Sequence, residues 1–108
     1  MVSSYFDTNE NQIVFSFTGH MDTFNSLQDQ ETVTHQLTEL KDTGGADSAG
    51  LNIVFDLKDV NFIASSFIRT CISTHKFAGS GNFCIKNCAP FIIKTFKIAG
   101  LDEILKVS

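Results

Sequence analysis

The run Leu51-Asn52-Ile53-Val54-Phe55 constrains the fold more than any other stretch. It is short, strongly apolar and rich in β-branched residues, as suits a strand covered on both faces. It leads through Asp56-Leu57-Lys58-Asp59-Val60-Asn61-Phe62-Ile63-Ala64 to the pair Ser65-Ser66, after which Ile68, Cys71, Ile72 and His75 recur at helical spacing. A buried strand that ends in a serine pair and hands over to an amphipathic helix is one step of an alternating β and α arrangement.

The flanking segments continue that alternation. Residues 2–6 and 12–18 read as two strands, because the turn formers Asp7-Thr8-Asn9-Glu10-Asn11 between them favour a hairpin. Gly19-His20-Met21-Asp22 closes the second strand and leads into a helix, for which Asp22 or Asn25 is a candidate cap. Leu27, Val33, Leu37 and Leu40 form its apolar face, with Gln28, Asp29, Gln30, Glu31 and Gln36 in solvent. Residues 42–50, small and acidic, read as a surface loop. Strands over 51–57 and 82–86, with a short extended piece at 61–63, alternate with helices from about Ser66 to Ala78 and from Pro90 to Gly100. Proline suits a first helical turn, where its missing N–H has no partner to lose. The closing segment 101–105 reads as a further short helix. The expected order β-β-α-β-α-β-α gives an α/β fold: a mostly parallel sheet of about four strands, an antiparallel N-terminal hairpin, and helices packed on the sheet. Residues 1–108 read as one domain, since the pieces on either side of the 42–50 loop are too short to fold alone.

Composition narrows the partners. The net charge is −4 with only 8 Lys plus Arg residues, which leaves no basic surface for a nucleic-acid backbone and points to proteins as partners. No run approaches the roughly 20 apolar residues of a membrane span, and Met1 to Tyr5 carry neither a basic region nor an apolar signal core, so no membrane insertion and a cytoplasmic location are expected. With no Trp and 11 Phe, phenylalanine must supply the large core side chains. Three cysteines fit reduced thiols; Cys84 and Cys88 are four apart, Cys71 lies on the apolar stripe of its helix, and no paired histidine spacing completes a metal site. No cofactor is implied.

The chemistry concentrates at the strand-to-helix junction. A serine there can cap the helix by accepting hydrogen bonds from its unpaired amides. It can equally carry a phosphate, whose charge of about −2 would meet those amides and the positive end of the helix dipole. Asp56 and Asp59, read as the end of the central strand, either line a ligand crevice or accept backbone amides in a turn. His20, His35 and His75 have no sequence link to Ser65 or to a cysteine, and no G-x-S-x-G elbow is present, so an enzyme is not expected. Gly79-Ser80-Gly81 follows a helix and reads as a helix stop, not a dinucleotide fingerprint.

Three segments in order, Gly19-His20-Met21-Asp22, Phe55-Asp56-Leu57 through Ala64-Ser65-Ser66-Phe67, and Ile98-Ala99-Gly100-Leu101, resemble the STAS domain, the fold of bacterial anti-sigma-factor antagonists. The resemblance spans essentially the whole chain. It implies a non-catalytic switch in which Ser65 is phosphorylated by a partner that is both a serine kinase and an anti-sigma factor. The unphosphorylated form would bind that partner, the phosphorylated form would release it, and a phosphatase would reset it. Asp22, Ala64, Ser66, Phe67 and Arg69 would shape the docking surface, and Arg69 could reach back toward Ser65 because helical side chains lean toward the N-terminus. The chain departs from the family pattern at Ala64, where Asp is usual, and at Phe67, where Gly is usual; an exposed Phe67 would act as a hot spot or as a block to docking. The alternative reading is a constitutive STAS subunit of a transporter or larger signalling assembly, with Ser65 only a helix cap.

Overall fold

A side-chain-closed turn starts the sheet. The Asp7 carboxylate accepts the Asn9 and Glu10 amides at 3.0 and 3.3 Å, and Asn11 takes the left-handed conformation (φ 48°) that its short polar side chain tolerates. The computed structural model describes residues 2–7, 9–21, 23–42, 51–79 and 81–108. Within them lie β1 (Val2–Asp7), β2 (Gln12–Met21), α1 (Thr23–Asp42), β3 (Asn52–Ile63), α2 (Ser65–Ala78), β4 (Phe83–Lys86) and α3 (Pro90–Ile98). The strands form one sheet in the order β1-β2-β3-β4, antiparallel at β1–β2 and parallel thereafter. Element order and sheet type agree with the sequence reading. Asp22 and residues 43–50 lie outside the described residues, and with them the proposed Asp22 cap and nearly all of the proposed loop; α1 starts at Thr23, so Asn25 is inside the helix and is not its cap.

The core is built on phenylalanine, as the composition demands. Phe15 and Phe17 of β2, Phe55 of β3 and Phe67 of α2 are fully buried. Phe55 packs edge-on against Phe17 and Phe83, with centroids 4.8 and 5.0 Å apart, a geometry that sets the positive ring edge against a negative face. Ile53, Phe55 and Leu57 share the core face of β3, whereas on the opposite face Val54 is buried between half-exposed Asn52 and Asp56, so the reading of that run as a strand covered on both faces holds fully for one face and in part for the other. Cys71 is buried beside them, and Ile92 and Phe96 anchor α3.

Four local readings are corrected. β3 does not stop near Leu57: it runs unbroken to Ile63 through two register shifts against β2, one between the pairs Ser16↔Asp56 and Thr18↔Asp59, the other between Gly19↔Val60 and His20↔Phe62. Each shift adds one residue to β3, so the inward positions Leu57, Val60 and Ile63 come three apart, and strand periodicity disappears from the sequence. Asp56 and Asp59 are consequently mid-strand residues. On α1, Val33 and Leu37 are buried as read, but Leu27 is 52% exposed and Asp29 is buried, because the inward stripe runs 29, 33, 37. Residues 102–106 form turns instead of a helix: the Ile85 amide is held by the Lys106 carbonyl (3.2 Å) and the Ser108 amide by the Ile85 carbonyl (2.9 Å), which draws Val107 alongside β4. Gly100 ends α3 as read, with φ 73° and the paired bonds Gly100 N–H to Lys97 C=O and Leu101 N–H to Phe96 C=O of a Schellman closure.

Candidate functional site

The register shifts in β3 carry its end past β4, whose last pair with β3 is Asp56↔Lys86. β3 then pairs with β2 alone, His20 opposite Phe62 and Met21 opposite Ile63. The end of the Gly19 segment therefore runs beside the start of the serine segment, which brings two of the three sequence motifs together at the backbone level. Asp22 itself is outside the described residues. Bulges commonly re-aim side chains next to functional sites. Here the Asp56 carboxylate stabilises the first one, accepting the Lys58 amide at 3.0 Å and the Asn87 side-chain amide at 3.2 Å. Asp56 thus accepts a backbone amide as read, but in a mid-strand bulge and not in a turn after the strand. Asn87, at φ 61° after β4, was not picked out by sequence reasoning; an Asn just past a strand, where left-handed backbone is common, was the available signal. Phe62, 42% exposed at the strand end, was missed because the period-three burial hid its orientation.

At the junction Ala64 is the N-cap, with extended backbone (φ −98°, ψ 167°) and no side-chain cap hydrogen bond. Its carbonyl accepts the Phe67 and Ile68 amides at 3.0 and 3.2 Å. The reading of Ser65 as a cap is corrected: Ser65 is the first helical residue, and its side chain is exposed. Ser66 is half-buried, and its carbonyl accepts the Thr70 hydroxyl at 3.2 Å. Phe67 does not face a partner. Its ring is fully buried, 5.1 Å from the Phe17 ring and 6.1 Å from Phe55, so neither a hot spot nor a block applies; a bulky residue at N3 of an amphipathic helix fills the core when its position falls on the inward stripe with Cys71 and Thr74. Arg69 is exposed one turn beyond Ser65 and, among the described residues, its side chain has no hydrogen bond or ion pair. Ala64, Ser65 and Arg69 thus share the open end of α2, with Ser66 half-buried beneath them.

The remaining candidates are dispersed. His35 is exposed on α1 and lies 3.1 Å from Glu39. His75 is in the last turn of α2 with its ring 6.2 Å from Phe83. Burial pushes the Cys71 thiol well above its usual range, with the nearby Cys88 adding to the shift. Burial, and secondarily the Asp56 charge, push Cys88 up to about 11. Both thiols are therefore protonated near neutral pH, the wrong form for a nucleophile or a metal ligand. Among the described residues no His, Cys, Asp or Glu cluster has metal-binding geometry.

The STAS domain family model matches residues 5–108. Three solved structures are similar in fold. A STAS-domain anti-sigma-factor antagonist protein from Planctomyces limnophilus is 18% identical, with a TM-score of 0.74 over 99% of this chain and 87% of that one. The Bacillus cell fate determinant SpoIIAA in its phosphorylated form is 16% identical, with a TM-score of 0.67 over 100% and 91%. The anti-sigma factor antagonist SpoIIAA in its unphosphorylated form is 16% identical, with a TM-score of 0.64 over 91% and 83%. A search of curated proteins by sequence gave no match.

Proposed function

The chain belongs to the STAS domain family, and from that premise we propose that it is a regulatory switch that binds a serine kinase acting as an anti-sigma factor and is controlled by phosphorylation of Ser65. The observation that carries the reading is Ser65 at the first position of α2, exposed and not serving as the helix cap, which is Ala64. A phosphate added there stands at the positive end of the helix dipole, where an anion is stabilised by roughly 0.3–1 kcal/mol when exposed. The same dianion in a protein interface must be desolvated and repels acidic neighbours, which favours release. SpoIIAA has been solved in both phosphorylated and unphosphorylated forms, and this chain is similar in fold to each, in keeping with a switch that changes a surface and keeps its fold. Ala64, Ser66, Arg69 and Asp22 form the docking surface in this reading. The whole chain works as one domain, without catalysis of its own, in the cytoplasm; a phosphatase restores the unphosphorylated form. No helix among the described residues is long and apolar enough to cross a membrane.

The test is incubation with the cognate kinase and ATP, followed by phosphate mapping by mass spectrometry. Phosphate is expected on Ser65, is lost in Ser65→Ala, and abolishes kinase binding. An unmodified Ser65 together with stable co-purification with a membrane transporter would replace this reading with that of a constitutive subunit.

A further inference from the structure

Two exposed surfaces take no part in the Ser65 site, and they complement each other. The first is the outer face of α3. Ile92 and Phe96 point into the core, so at about 100° per residue Phe91, Lys94 and Ile98 point away from it. Phe91 is 65% exposed and Ile98 78%, with Lys94 and Lys97 exposed beside them. No carboxylate side chain occurs between Asp59 and Asp102, while Arg69, Lys76, Lys86, Lys94 and Lys97 all fall in that interval. The face is convex, apolar and cationic.

The second surface is concave, apolar and acidic. Between α1 and α2 lies a cavity of about 210 Å³ lined by Val33, Leu37 and Phe77. It shares Thr34 and Thr38 with a wider depression of about 630 Å³ lined by Leu27 and Glu31. Leu27 is 52% exposed and Phe77 42%. Glu31 and His35 line the wider depression, and Glu39, exposed 3.1 Å from His35, stands beside it on α1, which has no Lys or Arg before Lys41. Ser73 and Phe77 continue the i, i+4 row of Ser65 and Arg69 but lie two and three turns further along α2, about 12 and 18 Å from Ser65 by the helical rise, so the groove leaves the phosphorylation site uncovered.

We propose that α3 of one copy seats Phe91 and Ile98 in the α1–α2 groove of a second copy, with Lys94 and Lys97 facing Glu31 and Glu39, so that the chain associates with itself head to tail. A large apolar knob that is mostly solvated in the free protein gains by removal from water, and an apolar groove on the same chain, opposite in charge, is the surface that fits it. Donor and acceptor surfaces differ, so the contact is heterologous: each copy retains one free surface of each kind, and assembly continues past the dimer unless a ring closes.

Sedimentation velocity on the intact chain over about a hundredfold range of concentration, equivalent to ~2.7 kcal/mol in association free energy, tests this directly. The weight-average mass is expected to climb with concentration past that of a dimer. Phe91→Ser with Ile98→Ser removes the knob, and Leu27→Ser with Phe77→Ser removes the groove lining; each doubly substituted chain alone is expected to stay monomeric, with its circular dichroism unchanged. Mixed together they retain one intact knob and one intact groove and are expected to form a one-to-one dimer that grows no further. Lys94→Glu with Lys97→Glu is expected to weaken self-association by about tenfold or more, and adding Glu31→Lys with Glu39→Lys in the same chain restores it. A monomer throughout the range, self-association indifferent to both pairs of serine substitutions, or a mixture that remains monomeric would each overturn the proposal.

Discussion

The starts of α2 and α3 are built alike and differ in what they leave available. Each follows the carboxyl end of a parallel strand, each has an alanine at the N-cap in extended conformation, and neither has a side-chain cap. In both, the alanine carbonyl accepts the helix's first i+3 and i+4 amides: Phe67 and Ile68 on Ala64, at 3.0 and 3.2 Å, and Ile92 and Ile93 on Ala89, at 2.9 and 3.0 Å. The first helical residue then separates them. α3 begins with Pro90, which has no N–H and no reactive side chain. α2 begins with Ser65, which has both an amide without a partner in its own helix and an exposed hydroxyl. Neither start has a side-chain cap, and only α2 presents a hydroxyl at its first residue.

The first-turn phenylalanines give the largest contrast. Phe67 is fully buried and Phe91 is 65% exposed. Phe67→Ala is expected to cost about 3–5 kcal/mol through lost burial and a cavity among Phe17 and Phe55, whereas Phe91→Ala is expected to change stability by less than about 0.5 kcal/mol. Urea unfolding of the two variants measures this, and equal costs would break the comparison. The missing side-chain caps come next. Ala64→Asp and Ala89→Asp should each stabilise the fold by about 0.5–2 kcal/mol, since both alanines already have cap-compatible backbone. Ala64→Asp also restores the acid that the family usually keeps before its serine, so a change in partner affinity is expected there and not for Ala89→Asp.

These two helix starts also show what the sequence made legible. Pro90 announced the start of α3 because proline has a preferred helical position, and the serine pair announced α2 to within one residue. The cap falls one residue before the serine pair: serine is the commoner cap, and an alanine without a capping side chain leaves no sequence mark. Strand β3 was cut short for a related reason. Its buried Leu57, Val60 and Ile63 fall three apart, and neither strand nor helix periodicity predicts that spacing; the bulges that produce it depend on a partner strand and on Asp56 accepting the Lys58 amide. The burial of Phe67 was likewise a tertiary fact, set by Phe17 and Phe55 on strands distant in sequence. The Phe-rich core, the element order and the Gly100 closure were readable because composition, alternation and backbone conformation each mark them in the sequence.

Exchange of the first helical residues should produce a smaller effect that sharpens the functional half of the comparison. Ala64 is extended, as the residue before a proline should be, so Ser65→Pro converts the start of α2 into the α3 form. Its stability is expected to stay within about 1 kcal/mol of the parent, with any gain coming from a less flexible unfolded chain. Phosphate incorporation at this position is expected to vanish. A folded Ser65→Pro variant that still takes up phosphate and releases the kinase would move the switch to another residue, with Ser66 the first to examine.

The smallest expected effect concerns Cys88, the thiol just before α3. A helix N-terminus ordinarily lowers a thiol's pKa, yet Cys88 is pushed up to about 11, first by burial and then by the Asp56 carboxylate. The folded state therefore holds this proton more tightly than the unfolded chain, whose thiol titrates near 9.0. Its contribution to stability is fully present below pH 9 and is lost as pH rises from about 9 to about 11. Stability between pH 6 and 8 should consequently be indifferent to Cys88→Ala apart from the lost packing, and alkylation of Cys88 by iodoacetamide should be slow at neutral pH and accelerate above pH 9. Asp56→Asn should lower the pH at which that acceleration begins, because it removes the second cause and leaves the first. Rapid alkylation of Cys88 at pH 7 would show a thiolate at the start of α3 and end the distinction drawn between the two helix starts.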